Sequence, residues 1–318
     1  MTRPPDRAAA ELDPAAHAGY DEDHPPRMGF FTDTSVCIGC KACEVACKEW
    51  NAVPEDGLLL TGMSYDNSIS LSASTWRHVA FIEQIGRGPG AAGTDGTAGG
   101  AWDGTAGGAW DGTAGDGALG EGTAMAGGPR WLMSSDVCKH CTEAGCLDVC
   151  PTGALMRTEF GTVVVQDDIC NGCGYCVSAC PFGVIGRRES DGGAHKCTLC
   201  YDRIGDGLTP ACAKACPTES IQFGAVDELR EHAQRRLLDL HERGETRARL
   251  YLEDPGDGIG GAGAFFLLLD QPEVYGLPPD PVVTTRDLPR MWRHVATAAV
   301  GLAVGAAAAC LGWRGGQP

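Results

Sequence analysis

The chain has 318 residues, with 25 Lys and Arg against 42 Asp and Glu, and a formal net charge of −17. That length can enclose one or two hydrophobic cores, so disulfides are not needed for folding. A chain this negative has no electrostatic attraction for nucleic acid or anionic lipid, and its partners are expected to be proteins.

Residues 1–27, "MTRPPDRAAAELDPAAHAGYDEDHPPR", are rich in Pro, Ala and charge, with neither an apolar h-region nor a twin-arginine pair. They are expected to form a disordered N-terminal arm. A cluster-binding domain is expected over residues 28–225. It starts with "CIGCKACEVACKEWN", which packs Cys37, Cys40, Cys43 and Cys47 into eleven positions. Lys48, not proline, follows the fourth cysteine, so the helix there is expected to run on into Glu49, Trp50 and Asn51. "STWRHVAFIEQI" and "RWLMSSD" read as strands on either side of a Gly-rich stretch, residues 86–128. That stretch holds "DGTAGGAW" twice in tandem, at 95–102 and 103–110, and a partial copy at 111–115. Gly, Ala and Thr at this density bury too little apolar surface to order a backbone, so a flexible insertion capping a hairpin is expected.

The second cysteine group is Cys138, Cys141, Cys146 and Cys150, followed by Pro151. The third is Cys170, Cys173, Cys176 and Cys180, followed by Pro181. Between them "ALMRTEFGTVVVQDDI" reads as a hairpin around Phe160 and Gly161, so these two groups form one dicluster module. The fourth group is Cys197, Cys200, Cys212 and Cys216, followed by Pro217. Beyond it, Val226, Leu229, Ala233, Leu237 and Leu240 fall on one helical face, with Asp227 near the start and Gly244 near the end. "RARLYL" and "AFFLLLD" read as strands, and residues 226–290 are expected to pack on the cluster domain.

From Val295 to Trp313 no residue is charged over nineteen positions. A helix of that length measures roughly 28 Å, about the thickness of a bilayer core. Trp292 and Trp313 stand at its ends as interfacial anchors would. Residues 291–318 are therefore expected to form a single transmembrane helix and tail, with Cys310 inside it as a small apolar residue. Arg286, Arg290 and Arg293 precede the span and Arg314 follows it, a bias that favours a cytoplasmic cluster domain.

Thiols two residues apart are poorly placed to bridge each other as disulfides. Zinc ribbons use two C-x2-C pairs separated by a spacer, whereas the first and third groups place three thiols at three-residue intervals and a fourth four residues later. That pattern is the [4Fe–4S] one: C-x2-C-x2-C holds three corners of a cube, and the fourth cysteine reaches a neighbouring cube. Sixteen of the seventeen cysteines thus imply four [4Fe–4S] clusters. Gly39, Gly172, Gly174, Ala42, Ala46, Ala179 and Ala215 leave room for backbone amides to approach the sulfurs.

The motifs "DTSVCIGCKACEVACKEWN", "DVCKHCTEAGCLDVCPTGAL", "DICNGCGYCVSACPFGVI" and "KCTLCYDRIGDGLTPACAKACPT", with the charge-free C-terminal run, resemble the iron–sulfur (beta) subunits of membrane-bound respiratory formate dehydrogenases. The resemblance covers roughly residues 28–313. It implies an α+β fold of two ferredoxin-like dicluster modules and a C-terminal single transmembrane helix. It also implies four crossed ligand sets: Cys37, Cys40, Cys43 and Cys216; Cys47, Cys197, Cys200 and Cys212; Cys138, Cys141, Cys146 and Cys180; and Cys150, Cys170, Cys173 and Cys176. The partners implied are a catalytic subunit containing molybdopterin with molybdenum or tungsten, and a membrane cytochrome b that passes electrons to quinone. The resemblance implies an outward-facing cluster domain on a single-pass membrane anchor, against the arginine bias. The Gly-rich insertion departs from the family pattern but contains no ligand. With no nucleotide fingerprint and no room for a molybdopterin domain, the chain is expected to carry electrons and not to be an enzyme on its own. The equivalent subunit of another molybdopterin oxidoreductase or hydrogenase, and a soluble polyferredoxin, remain the alternatives.

Overall fold

The computed structural model describes residues 13–57, 62, 65–84 and 130–314. The first twelve residues of the expected arm and the Gly-rich insertion with its repeats lie outside the described residues. In chain order the elements are α1 (Pro14–His17), β1 (Met28–Asp33), α2 (Ala42–Trp50), β2 (Arg77–Gln84), β3 (Arg130–Val137), α3 (Gly145–Asp148), β4 (Leu155–Arg157), β5 (Val163–Val165), α4 (Tyr175–Ala179), β6 (Gly186–Arg187) and β7 (Ala194–His195). They continue with α5 (Tyr201–Gly205), α6 (Ala211–Lys214), β8 (Ile221–Ala225), α7 (Val226–Glu242), β9 (Arg249–Tyr251), β10 (Ala264–Leu268) and α8 (Leu288–Arg314).

One four-stranded sheet, in the order β8-β1-β10-β9, organises the protein. β1 runs parallel to β10 and antiparallel to β8. Strand periodicity sends neighbouring side chains to opposite faces. Phe31 accordingly stacks on Phe265, 5.5 Å between ring centroids, in the core beneath α7. Phe30 packs instead into the cluster that contains Cys43, Cys138, Cys197 and Cys212. Neighbouring residues of β1 therefore enter two different clusters of the core, one apolar and one lined by thiols.

Both expected hairpins form. β2 pairs antiparallel with β3 from Arg77↔Val137 to Gln84↔Arg130, so the insertion joins two adjacent strand ends. β4 and β5 pair around Gly161, whose φ of 72° suits the turn. α2 continues through Trp50, as the missing proline led us to expect. In α7, Val226, Leu229, Ala233 and Leu240 are buried.

One expectation is corrected. Residues 13–27 are not a disordered arm: Asp13 caps α1, Ala15 is fully buried, the Tyr20 hydroxyl donates to the Arg157 carbonyl (3.2 Å), and Arg27 donates to the His140 carbonyl (3.3 Å). Small residues and a few long-range hydrogen bonds dock this stretch, and composition alone does not register them. Residues 226–290 contribute α7 and two strands of the central sheet. All five residues of β10 are buried and the strand lies in the middle of the sheet beside β1. A continuous apolar run is what a strand covered on both faces requires.

α8 is a 27-residue helix whose apolar side chains Val295, Val300, Leu302 and Val304 are all more than half exposed. Among the described residues, no helix is long and apolar enough to cross a membrane.

Candidate iron–sulfur centres

The end of β1 prepares the first thiol group. The Asp33 carboxylate accepts from the Ser35 amide (2.9 Å) and hydroxyl (2.6 Å), closing one 3-10 turn before Cys37. Gly39 and Lys41 then take left-handed backbone, φ 65° and 59°, and fold the loop back towards α2. A Cβ on Gly39 would stand 2.6 Å from both Met133 Sδ and Phe81 Cε1, so the loop is pressed against the β2–β3 hairpin. Cys37, Cys40, Cys43 and Cys216 line one cavity. Cys43 and Cys47 lie one turn apart on α2, yet Cys47 faces a different group: the thiols of Cys197, Cys212 and Cys200. The Asn51 amide reaches both Cys47 Sγ (3.7 Å) and Cys200 Sγ (3.8 Å).

Cys138, Cys141, Cys146 and Cys180 line a second cavity, and Cys176 stands beside Cys173, Cys170 and Cys150. The thiols of each set implied by the resemblance line one cavity or lie within electrostatic reach of one another. Electrostatic influence also runs from one set to the next: Cys212 acts on Cys43, Cys138 on Cys197, and Cys176 on Cys146. The sets form a row. Cys40 in the first set and Cys173 in the last are exposed, whereas all four thiols of the second set are buried.

Burial dominates the electrostatics of these thiols. It pushes Cys43 up to about 11, against the pull of Arg77, and Cys197 up to about 12, with Cys138 and Cys212 adding to the rise. Cys146 reaches about 12 and Cys176 about 11, burial again being the main cause. Cys150 is held below its ordinary value: although burial opposes it, the amides of Leu155, Thr152 and Ala154 and the Thr152 hydroxyl favour the thiolate. Iron binds thiolates, so a bound cluster must supply the positive charge that keeps these groups deprotonated.

The donor sets fit a polynuclear cluster. Among the described residues, no three His, Cys, Asp or Glu groups converge closely enough to hold a single metal ion. The first set nevertheless lines a single cavity, together with Ser135, Thr218 and Ser220.

Buried cations complete the site, and sequence reasoning missed them. Arg77, Lys139 and Lys196 are at most 2% exposed. Among the described residues Lys196 donates to the carbonyls of Val163 and Cys197, and Arg157 to those of Gly161, Cys141 and Thr142. Lysine is almost never fully buried without a compensating charge, and a thiolate-bound cluster supplies one. The available signal was position, because Lys139 and Lys196 directly adjoin motif cysteines. Arg77 carried no such mark. His140 also lines the second cavity. Its Nδ1 accepts from the Val163 amide (3.1 Å), and burial holds the ring well below its ordinary pKa, so the ring is neutral with its proton on Nε2.

Residues 129–226 match the family described as "4Fe-4S dicluster domain", and residues 34–50 match "4Fe-4S binding domain". The formate dehydrogenase iron-sulfur subunit of Haemophilus influenzae is 36% identical over 94% of this chain and 82% of its own length. The nitrate-inducible formate dehydrogenase iron-sulfur subunit of Escherichia coli is 36% identical over 83% of this chain and 76% of its own. One subunit of the anaerobic dimethyl sulfoxide reductase of Escherichia coli is 32% identical over a smaller share, 64% of this chain and 77% of its own. The chain belongs to the family of formate dehydrogenase iron–sulfur subunits, electron-transfer chains that carry [4Fe–4S] clusters and are not themselves catalytic.

Proposed function

We propose that this chain holds four [4Fe–4S] clusters, one on each crossed cysteine set, and relays electrons from formate oxidation in a molybdenum- or tungsten-containing molybdopterin subunit to a cytochrome b subunit and quinone. The observation that carries the reading is the row of thiol sets, with one cysteine acting on another across each junction and an exposed cysteine in each end set. Bound clusters supply one-electron centres whose potentials follow charge, hydrogen bonding and exposure. The chain's own residues do the rest. The cysteines bind, Asn51 and the Leu199 amide (3.3 Å to Cys197 Sγ) orient the second set, and the sheet face around Phe30 excludes water.

The relay is anchored, in this reading, by residues 295–313. Support comes from the charge-free run, the flanking tryptophans and the outward-facing apolar side chains of α8. The cluster domain is assigned to the outer face on the family resemblance, although Arg286, Arg290 and Arg293 outnumber Arg314. Net charge argues against a nucleic-acid partner.

The test is to purify the complex from membranes and measure iron and reduced-state paramagnetism per chain. About sixteen irons are expected, co-purifying with a large catalytic subunit; zinc without iron refutes the cluster reading. A chain that purifies alone and reduces diffusing partners favours the polyferredoxin instead. Deleting residues 292–318 should release an iron-loaded protein that no longer couples formate to quinone. Retention of that truncated chain on the membrane after a high-salt wash contradicts the anchor, and protease treatment of intact cells reports the side.

A further inference from the structure

Arg77 begins β2 and Ser135 lies on β3, and because Arg77 is paired with Val137, Ser135 is its diagonal neighbour on the same face of the hairpin. Both are fully enclosed, at 2% and 1% exposure. Arg77 Nη2 donates to Cys212 Sγ (3.3 Å), and Nη1 donates to the Ser135 carbonyl and hydroxyl oxygens (3.3 Å each). The Ser135 hydroxyl lies 3.2 Å from Cys43 Sγ. One hydrogen-bonded chain therefore runs from Cys43, through Ser135 and the guanidinium, to Cys212. Cys43 and Cys212 belong to different thiol sets, and the guanidinium supplies the positive charge on this path.

We propose that Arg77, with Ser135, is a positioning residue that joins the Cys37 set to the Cys47 set and raises the reduction potentials of both bound centres together. The proposal rests on the crossed ligand sets above. The groups that act most on Arg77 are thiols, those of Cys212, Cys43, Cys197 and Cys47, and its guanidinium stacks 4.8 Å over the Phe30 ring. A positive charge fixed between two centres that each become more negative on reduction favours the reduced form of both. The planar fork holds that one charge against both sets at once.

The experiment is a redox titration followed by electron paramagnetic resonance on the whole complex, with Arg77→Met, Arg77→Lys and Ser135→Ala. Iron is measured first on the wild type. Fewer than four centres there would remove the ligand reading on which the proposal rests, independently of Arg77. With four centres present, Arg77→Met should lower two midpoint potentials by at least a tenfold change in the one-electron equilibrium constant, about 59 mV each, and leave the other two in place. Arg77→Lys should restore most of both shifts by restoring the charge. Ser135→Ala should move chiefly the centre bound by Cys43. Four unmoved potentials in an iron-replete Arg77→Met complex overturn the proposal, as does a shift of one centre only. If Arg77→Met loses iron, Arg77→Lys decides: full iron with wild-type potentials supports the role of the charge, and full iron with both potentials lowered overturns it.

Discussion

Crossed ligation makes a sharp prediction at Cys47. Cys47 is 5% exposed and sits one turn after Cys43 on α2, so by chain position it belongs with Cys37, Cys40 and Cys43. By space it belongs elsewhere, since the thiols raising its pKa alongside burial are Cys197, Cys212 and Cys200. Cys47→Ala should therefore leave the Cys37 set with all four of its thiols and the Cys197 set with three. Complete loss of that one centre removes about four of about sixteen irons, a quarter of the total, and degradation to a three-iron form removes about one. Iron per chain and the reduced paramagnetic spectrum should be compared with those of Cys197→Ala and Cys37→Ala. The Cys47→Ala spectrum is expected to match that of Cys197→Ala and to keep the signal lost in Cys37→Ala. A match to Cys37→Ala refutes the crossing, and with it the idea that α2 serves two sets.

Replacing residues 88–128 with a short Gly-Ser turn should leave iron content and formate-to-quinone activity within about twofold, because Gln84 and Arg130 are already paired across the gap; failure of the complex to assemble would make the tryptophan repeats a docking element. Gly172→Ala should cost about 1–3 kcal/mol and deplete iron at the Cys170 and Cys173 set. Its φ is +69°, and a Cβ would stand 2.3 Å from the Gly192 carbonyl oxygen, which is backbone and cannot swing away; unchanged melting and full iron would contradict this. The arm should be held most firmly between roughly pH 4 and 6.5. The Pro25 carbonyl and then Asp13 raise the pKa of His24, so its contribution is present below its ordinary value and lost as pH rises through the raised one. Asp13 is lowered despite burial, by the Ala15 amide and His24, so its contribution is lost only as pH falls towards the acid range. Amide exchange across residues 13–24 should speed up, beyond the intrinsic rate change, between about pH 5.5 and 8.5, and should lose that pH dependence in His24→Ala.

What the sequence made legible was local. Cysteine spacing marked all sixteen candidate ligands, and turn chemistry at Gly161 and the strand-like run "STWRHVAFIEQI" marked the two hairpins, because each signal is contained within a few residues of chain. The parallel pairing of Phe30 with Ala264 was not legible, since over two hundred residues separate partners whose only shared mark is an apolar run. The grouping of thiols across motifs needed the family resemblance, because spacing places Cys47 with its neighbours in the chain. Arg77, Lys139 and Lys196 were missed for a chemical reason. A basic residue in a sequence reads as a solvated one; Lys139 is paired with Asp136, but the charge that justifies burying Arg77 and Lys196 belongs to a bound group that the sequence encodes only indirectly, through its cysteines.

That last point ties the fold to its cofactor. Burying a cation costs several kcal/mol after relaxation unless an opposite charge accompanies it. Here the cations crowd together: Lys196, Arg157, Arg27 and Arg77 all act on the His140 ring, and Lys196 and Arg157 are satisfied chiefly by backbone carbonyls. Carbonyls satisfy the donors but supply no compensating charge. The thiols are equally uncomfortable by themselves, pushed up by burial and by one another. Each population explains the other once clusters are bound: iron keeps the thiolates charged, and the excess negative charge of the thiolate-bound cluster offsets the buried cations. Arg77 acts among the thiols of the first two sets, and Lys196 and Arg157 among those of the third, so neither population can be neutralised by simple truncation. Removing a cation leaves a cluster with uncompensated negative charge, and removing a cluster leaves cations with no counter-charge. The stability of this core is therefore inseparable from its loading, and the same buried charges that couple folding to iron are the ones placed to set the potentials at which electrons pass.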